Sequence, residues 1–285
     1  MKLRGNYHTH TTMCDGTNTP REMAQRALEI GFTHLGFSGH MDPDIHMDLE
    51  AYDAEIRRLQ EAYRDRIEIL RGVELDGLYR PDGVQASAEW ALLRKMEYVI
   101  GSTHYIESPS GGPLGSVDDT WERLRTFCAE EFGGDFYRLS KEYYRTEAEV
   151  FARTDCTFVG HFDLVTRFND ERHFLVEEDP RYYMPALETM EYLVSKGLPF
   201  EINCGAVNRG RKAELYPNRF LLKKLREMGG EILISSDAHQ KELLAGGFDT
   251  AVRTAVASGF THTLFPEHGA DGRIVLRETA LEGTI

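Results

Sequence analysis

Short apolar stretches of the sequence alternate with longer segments in which apolar residues recur at helical spacing. The short stretches have the length of strands, and the longer ones have the period of amphipathic helices. Seven short stretches are each followed by a helical segment, and they lie near Tyr7, Phe37, Val73, Ile100, Val159, Ile202 and Ile234. This alternation predicts parallel strands in an α/β fold, and seven repeats favour a distorted, closed or nearly closed (β/α)7 barrel of the TIM-barrel type.

Local signals define the first helices. Thr19 followed by Pro20 and Glu22 forms a capping box, so a helix begins there and is predicted to end at Ile30, before Gly31. Residues 48–64 are predicted to form a charged amphipathic helix. Its apolar stripe consists of Leu49, Tyr52, Ile56, Leu59 and Tyr63. The first strand is predicted over residues 3–7, and the third over residues 67–73.

The rest of the chain extends the same pattern without a linker. Residues 118–151 predict two helices, and a polar segment containing Pro180 and Pro185 predicts a loop before a helix that ends at Lys196. Beyond the seventh strand, a helix near residues 248–258 and a strand-like piece at residues 263–265 are expected. We therefore expect one domain over residues 1–285, with its core motifs at about 7–240 and a C-terminal appendage at about 241–285.

The amino-acid composition limits the classes of partner that the protein is expected to have. The 285 residues are 41% hydrophobic and 28% charged, and no apolar run approaches the length needed to cross a membrane. No signal segment opens the chain and its four cysteines form no CxxC pair, so a cytoplasmic protein with reduced thiols and no membrane partner is expected. The net charge of −14 argues against a nucleic-acid partner but not against a small-molecule substrate.

Residues of the types that commonly bind metal ions follow the predicted strands. In (β/α) barrels the loops at the carboxyl ends of the strands converge on one mouth, where the chemistry takes place. His8 and His10 lie one residue apart, so in an extended segment both rings point to the same face. The ligand-type residues at the predicted mouth are His8, His10, Asp15, His40, Glu74, His104, His161, Asp237 and His239.

Each of these residues also has a structural interpretation. A lone histidine is more often a hydrogen-bonded residue, which is the role expected for His34, His46, His173, His262 and His268. Glu74 alone would fit a salt bridge, and Asp237 alone would fit a helix cap. Nine such residues at one mouth nevertheless predict metal ions, because burying them together without cations is very costly. Mixed imidazole and carboxylate ligands suit zinc, iron or manganese, and their number predicts three divalent ions.

The motifs around these residues resemble those of a known family, the polymerase and histidinol phosphatase (PHP) family. They are His8-Thr9-His10, Asp15, Ser38-Gly39-His40, Gly72-Val73-Glu74, Gly101-Ser102-Thr103-His104, Gly160-His161 and Ser236-Asp237-Ala238-His239. The single-domain length, Gly160-His161-Phe162-Asp163 followed by Arg167, and Tyr216-Pro217-Asn218 are similar to the histidinol-phosphatase branch.

The resemblance implies a metal-dependent phosphomonoesterase that hydrolyses L-histidinol phosphate to L-histidinol and phosphate in histidine biosynthesis. It also implies a division of the ligands among three ions. His8, His10, Glu74 and Asp237 would hold the first ion; Glu74, His104 and His161 the second; and Asp15, His40 and His239 the third. Glu74, His104 and Asp237 are the expected catalytic residues, since a water bridging the metals is predicted to attack phosphorus.

Substrate contacts are predicted from residue chemistry and position. Arginine forks suit phosphate oxygens, and Arg167, Arg209 and Arg211 follow predicted strands, as does the polar Asn203. An acidic rim to which Asp42, Asp44 and Glu107 contribute would attract the cationic amine of histidinol phosphate. Two alternatives stay open: a phosphoesterase of the same family acting on nucleotides or other small phosphate esters, and a non-catalytic metal-binding module.

Overall fold

The computed structural model describes residues 3–281 except residues 82, 84 and 85. The predicted domain limits, residues 1 and 285, lie outside this part of the chain. The strands are β1 (Gly5–Asn6), β2 (His34–Phe37), β3 (His40–Met41), β4 (Glu68–Asp76), β5 (Tyr98–Ser102), β6 (Tyr105–Ile106), β7 (Gly115–Ser116), β8 (Phe158–Val159), β9 (Phe200–Asn203), β10 (Ile232–Ser235), β11 (His262–His268) and β12 (Ile274–Ala280).

Helices follow most of these strands and cover the outside of the sheet. They are α1 (Pro20–Ile30), α2 (Leu49–Tyr63), α3 (Ala86–Leu93), α4 (Trp121–Phe132), α5 (Phe136–Ala148), α6 (Val150–Thr154), α7 (Asn169–Arg172), α8 (Pro180–Ser195), α9 (Gly205–Asn208), α10 (Arg219–Glu227) and α11 (Phe248–Ala257). The capping box of α1 is present, and the five apolar residues predicted for the stripe of α2 are buried.

Seven strands pair in parallel in the order β1-β2-β4-β5-β8-β9-β10, which confirms the predicted α/β barrel architecture. The ladder does not close continuously between β1 and β10. At the carboxyl end, however, the chain after β1 meets the chain after β10 through a parallel bridge between Thr9 and Ala238. His10 N–H donates to the Ala238 carbonyl at 2.9 Å, and Ala238 N–H donates to the His8 carbonyl at 3.1 Å. The barrel is thus distorted and joined at its mouth.

Aromatic side chains fill the inside of the barrel. The Tyr98 hydroxyl donates to the carbonyls of Tyr7 at 2.7 Å and Phe37 at 3.0 Å, which ties β5 to the first two strands. A Cβ atom added at Gly36 or Gly72 would lie 2.3 Å or less from Tyr98 side-chain atoms. These two glycines therefore leave room for one large ring in a barrel of small diameter.

Four details in the barrel itself differ from the sequence prediction. The first strand is only Gly5–Asn6, and β4 continues past Glu74 to Asp76. The region of two predicted helices contains three, because α6 follows α5 directly. Pro180 and Pro185 belong to helix α8 and not to a loop. Pro180 occupies the first turn, where no N–H is needed, and the buried face of α8 compensates for the bond that Pro185 removes.

The C-terminal piece predicted as one strand is a hairpin of β11 and β12, with β11 parallel to β10. Phe265 of β11 joins the inner core, and the Arg4 guanidinium lies 4.9 Å from the centre of its ring. At the end of β11, the His268 N–H and Nδ1 approach Glu68 Oε1 at 2.6 and 2.9 Å. The hairpin therefore covers the amino end of the barrel, opposite the mouth. Among the described helices, none combines the length and apolar character needed to cross a bilayer.

Candidate metal centre

The predicted ligands meet at the carboxyl mouth of the barrel. His8 and His10 follow β1, and both are fully buried. Asn6, the last residue of β1, fixes this segment: its Nδ2 donates to the His8 carbonyl at 3.1 Å and to Ser236 Oγ at 2.8 Å. Its Oδ1 accepts the Ser236 N–H at 3.0 Å. One buried amide thus holds the ends of β1 and β10 together, next to His8 and Asp237.

Glu74 lies at the centre of the cluster. Its carboxylate is surrounded by five imidazoles and also accepts a hydrogen bond of 2.8 Å from Ser102 Oγ. The nitrogen–oxygen distances are His8 Nε2 3.1 Å, His10 Nε2 3.5 Å and His40 Nδ1 3.0 Å to Oε2, and His104 Nε2 3.3 Å and His161 Nε2 2.8 Å to Oε1. The two oxygens of Glu74 therefore face two different groups of nitrogens, as a bridging ligand would.

A second carboxylate gathers the outer part of the cluster. Asp15 approaches His10 Nδ1 at 3.4 Å, His40 Nε2 at 3.7 Å and His239 Nε2 at 3.0 Å. Asp237 lies on the other side of His10, with Oδ1 at 3.3 Å from its Nε2. His10 thus has one ring nitrogen toward Asp15 and the other toward Glu74 and Asp237. The structure brings all nine predicted ligands into one continuous cluster.

The donor atoms fit divalent cations. His8 Nε2, His10 Nε2, His40 Nδ1 and Glu74 Oε2 are buried and have no hydrogen-bond partner in the described part of the chain. Unsatisfied polar atoms in a protein interior carry a large desolvation cost, which metal coordination would offset. Four groups of converging ligand atoms are His8, His10 and Glu74; Glu74, His104 and His161; His10, Asp15, His40 and His239; and His40, Asp42 and His104. Imidazole and carboxylate donors in this mixture suit zinc, iron or manganese.

The charges of the buried carboxylates also favour the binding of cations. Burial opposes ionisation of Glu74, but His8, His40 and His104 hold the pKa of its carboxyl well below the usual range. Burial likewise opposes ionisation of Asp237, and Arg209 and His8 nevertheless hold its pKa well below the usual value. Both carboxylates therefore stay charged in the interior. A concentration of buried negative charge attracts cations.

The cluster forms the floor of a cavity of about 600 Å³. Two groups of charged residues line it. The arginines Arg167, Arg209 and Arg211 come from loops after β8 and β9, and the acids Asp42, Asp44, Asp118 and Asp119 come from loops after β3 and β7. Arg123 of α4 lies on the acidic side, where its Nη1 is 2.6 Å from Asp119 and 3.7 Å from Asp44, so Asp42 and Asp118 carry the unpaired negative charge of that group. Burial lowers the pKa of Arg211, and the charges of Arg167 and Arg209 lower it further. The three arginines are thus close enough to repel one another, as expected of an anion site.

The predicted substrate residues occupy different positions. Arg209 is held by the metal cluster, because its Nη2 donates to Asp237 Oδ2 at 3.0 Å and its Nη1 donates to the Asp237 carbonyl at 3.0 Å. Arg167 and Arg211 donate no side-chain hydrogen bond to any described residue. Asn203 lies below the cavity, where its Oδ1 accepts the Gly205 N–H at 2.7 Å and its Nδ2 donates to Glu201 at 3.0 Å.

The acidic rim differs from the prediction in one residue. Asp42 and Asp44 line the cavity, but Glu107 does not. The Glu107 carboxylate lies 3.5 Å from Arg153 Nη1 and 3.7 Å from Arg145 Nη2, so it belongs to an ion-pair group on the helices α5 and α6. Sequence position alone could not separate these two roles, because Asp42, Asp44 and Glu107 all lie in loops that follow a strand. Asp118 and Asp119 take its place in the cavity wall.

Comparison with known proteins identifies the family. Residues 6–205 match the family model described as PHP domain. A relative from Deinococcus radiodurans named "Probable histidinol-phosphatase" is 32% identical over 258 residues, which are 86% of this chain and 90% of that protein. The chain belongs to the PHP family. A second "Probable histidinol-phosphatase", from Schizosaccharomyces pombe, is 26% identical over 268 residues, 88% of this chain and 85% of that protein.

A solved structure has a similar fold. The histidinol phosphate phosphatase of Lactococcus lactis superposes with a TM-score of 0.67 at 22% sequence identity, over 96% of this chain and 100% of that one. This likeness agrees with the distorted barrel described above. The match to the PHP family model ends before Arg209, Asp237 and His239, which the fold nevertheless brings to the same mouth.

Sequence reasoning missed the residues behind the ligands of this PHP centre. Glu201 of β9 is fully buried; its Oε1 lies 2.7 Å from His8 Nδ1, and its Oε2 accepts the His161 N–H at 2.9 Å. The Ser235 hydroxyl also donates to Glu201. These contacts fix the His8 ring with Nε2 toward Glu74, which is how carboxylates behind histidine ligands usually act.

Asp76 and Asp42 occupy comparable positions. Asp76 accepts the His104 N–H at 2.6 Å and lies 3.4 Å from His104 Nδ1, while Asp42 lies 3.6 Å from His40 Nδ1. Asp76 follows Glu74 by two residues, and Asp42 follows His40 by two. Because strand residues two apart share a face, this spacing is a signal that could have identified both.

Proposed function

We propose that this protein is a metal-dependent phosphomonoesterase that hydrolyses L-histidinol phosphate to L-histidinol and phosphate. The observation that carries the proposal is the combination, in one cavity, of the ligand cluster around Glu74, three arginines and a separate group of aspartates. Histidinol phosphate has a phosphate at one end and an ammonium group beside it, so its charges match both groups. The relatives named above carry histidinol-phosphatase names, and the Lactococcus lactis structure contains Zn, L-histidinol and phosphate.

We also infer that three divalent ions, of zinc, iron or manganese, occupy the cluster. His8, His10, Glu74 and Asp237 would hold the first, with Glu74 shared with the second, which His104 and His161 complete. Asp15, His40 and His239 would hold the third. When bound, such ions supply a hydroxide near neutral pH and offset the charge of phosphate oxygens. The orphaned buried nitrogens and oxygen around Glu74 support this assignment.

The residues of the chain itself would position the substrate. Arg167 and Arg211 are the arginines available to phosphate oxygens, because Arg209 already donates to Asp237. Arg209 instead fixes the carboxylate of Asp237 in its place beside His10. Asp42 and Asp44 would receive the ammonium group at the other side of the cavity. We place the reaction in histidine biosynthesis in the cytoplasm, a location supported by four scattered cysteines without a CxxC pair.

A panel of phosphomonoesters assayed with metal-loaded protein tests the substrate. We expect kcat/KM for histidinol phosphate to exceed that for nucleoside monophosphates by about 10²-fold or more, because unmatched charges in a desolvated site are costly. A matched compound that lacks only the amino group should lose most of this advantage. Preference for nucleotides would support the other phosphoesterase activity, and hydrolysis of none of the panel would contradict an enzymatic role. Metal analysis of the same sample should give three ions per chain.

A further inference from the structure

Tyr216 presents a buried phenol at the wall of the cavity. Its side chain is almost fully buried, and its hydroxyl has no hydrogen-bond partner among the residues that the structure describes. A hydroxyl is both donor and acceptor, so leaving one unpaired in the interior costs free energy unless a ligand satisfies it. Sequence reasoning used Tyr216 only as part of a motif and gave it no role.

Two other unpaired donors lie on the same wall. The Nε atoms of Arg167 and Arg209 are also buried without a partner in the described residues, and both arginines line the cavity with Tyr216. The charges of both arginines act on the Tyr216 hydroxyl, which indicates that the three groups are close in space. Buried donors without acceptors in one cavity wall indicate a site for an anion that brings several oxygens, which Tyr216 and Arg167 would contact while Arg209 holds Asp237.

The backbone and ring of Tyr216 are held in place from below. Tyr216 pairs with Asn203 at the end of β9: the Asn203 N–H donates to the Tyr216 carbonyl at 2.8 Å, and the Tyr216 N–H donates back at 3.2 Å. The Lys212 ammonium lies 5.2 Å from the ring centre, and the His161 ring packs against its edge at 6.4 Å between centroids. The ring therefore needs little reorganisation to use its hydroxyl, which is favourable for a binding group.

We propose that the Tyr216 hydroxyl donates a hydrogen bond to a non-bridging oxygen of the substrate phosphate, next to Arg167. This proposal rests on the proposed function only in that the substrate carries a phosphate group. Burial raises the pKa of the Tyr216 hydroxyl above its usual value, so the phenol keeps its proton at neutral pH and is a donor under working conditions. Tyr216 thereby completes the phosphate subsite from the side of β9.

Inorganic phosphate is the direct probe, because it is the common product of any phosphomonoesterase. In Tyr216→Phe we expect the inhibition constant for phosphate to rise about 10-fold, the value of one hydrogen bond to a charged group, and kcat/KM to fall by a similar factor. Metal content and the melting temperature should match the wild type. As the control, Tyr63→Phe removes another buried phenol, on the buried face of α2 and outside the cavity lining, and should leave both constants unchanged.

A leaving-group series separates phosphate binding from protonation of the alkoxide. If the hydroxyl contacts the phosphate, its loss should lower kcat/KM for p-nitrophenyl phosphate and for alkyl phosphates by the same factor. If the loss in Tyr216→Phe is confined to alkyl phosphates while the phosphate inhibition constant stays at the wild-type value, the hydroxyl acts on the leaving group and the proposal is overturned. An unchanged inhibition constant together with unchanged rates overturns it as well.

A second measurement keeps the hydroxyl and so avoids any folding defect. Fluorotyrosine placed at position 216 should show a ¹⁹F resonance that moves when phosphate is added to the metal-loaded protein, and a resonance indifferent to saturating phosphate contradicts the contact. These tests of the Tyr216 contact can be told apart from the test of the proposed substrate. A wild type that cleaves p-nitrophenyl phosphate but not histidinol phosphate refutes the proposed substrate, whereas the phosphate measurements still decide the role of Tyr216.

Discussion

At the scale of single residues, the site depends on Glu74, whose two oxygens face different groups of imidazoles. In Glu74→Gln the amide keeps the shape but removes the negative charge that both groups share. We expect kcat to fall by about 10²- to 10³-fold or more, because the bound ions would lose the carboxylate that they share and with it part of the stabilisation of the transition state. Steady-state kinetics with metal analysis of the same sample measure this.

The control for Glu74 is Glu188→Gln on the exposed side of α8, which makes the same chemical change on the surface. It should retain wild-type kcat and metal content. A Glu74→Gln protein that keeps both its activity and its full complement of metal would show that Glu74 is not the shared ligand.

Glu201 acts through His8 and not on the substrate. Its Oε1 lies 2.7 Å from His8 Nδ1, so the carboxylate fixes the ring and increases the basicity of the opposite nitrogen. In Glu201→Gln we expect metal affinity to fall about 10- to 100-fold, with most of kcat recovered at saturating metal. Competition with a chelator gives the affinity, and kinetics over a range of metal concentrations gives kcat. An unchanged affinity would contradict a positioning role for this carboxylate.

At the scale of elements, sequence patterns predicted structure where the cause is local. The capping box of α1 and the stripe of α2 depend on neighbours within one helix, and both are present as predicted. Pro185 led to the wrong prediction of a loop, because whether a helix tolerates an internal proline depends on how the helix packs, as α8 does here. The β11–β12 hairpin was not predicted because β12 has four partly exposed residues and lies at the edge of the sheet, so its apolar pattern is weak.

The candidate site was also predictable only in part. A mouth built from strand ends can be inferred from the order of motifs, which is why the nine ligand-type residues were found. The partner of a given side chain cannot be inferred this way, because Glu201 and His8 are 193 positions apart and meet only through the topology. Likewise, the sequence does not show that Asn203 faces Glu201 and not the cavity.

Helix α5 buries a carboxyl group that should make stability depend on pH. Burial raises the pKa of Glu147 from 4.5 to about 8, with Thr103 lowering it, Asp76 raising it and His104 lowering it to a smaller extent. Because the folded state holds this proton more tightly than the unfolded state, its contribution is complete below pH 4.5 and is lost as the pH rises toward 8. In Glu147→Gln this loss should be absent.

The measurement compares the pH dependence of unfolding for the two proteins at one fixed, saturating metal concentration. The free energy of unfolding of the wild type should fall relative to Glu147→Gln between pH 5 and pH 8, by at most about 5 kcal/mol for a shift of this size. The informative quantity is how the difference between the two curves changes with pH, because the cost of burying the amide is the same at every pH. Parallel curves would mean that Glu147 is ionised in the folded protein.

At the scale of the whole molecule, the barrel separates chemistry from stability. The mouth holds the ligand cluster and the cavity, whereas the amino end is covered by the β11–β12 hairpin. In barrels of this kind, residues at the amino end contribute to stability and those at the carboxyl end to catalysis. The acidic surface does not interfere with an anionic substrate, because the local charge of arginines and bound cations outweighs the net charge at short range.

Phe265 tests this separation. It is 4% exposed and packs in the inner core with Tyr98, Phe158 and Leu233, at the end of the barrel away from Glu74. Phe265→Ala removes a buried ring and leaves a cavity that the surrounding strands cannot fully close, so we expect a loss of about 3–5 kcal/mol in the free energy of unfolding. Under conditions where the variant remains folded, kcat should stay within about 2-fold of the wild type because no ligand of the mouth is disturbed.

Denaturant unfolding and initial rates on the same preparation give both quantities. Val256→Ala on the half-exposed face of α11 is the matched truncation at a surface position, and its effect on stability should be below about 0.5 kcal/mol. If Phe265→Ala lowers kcat sharply while the protein remains as stable as the wild type, the hairpin communicates with the metal centre, and the two ends of the barrel are coupled. If stability falls alone, the hairpin acts as a structural cover that completes the core from below.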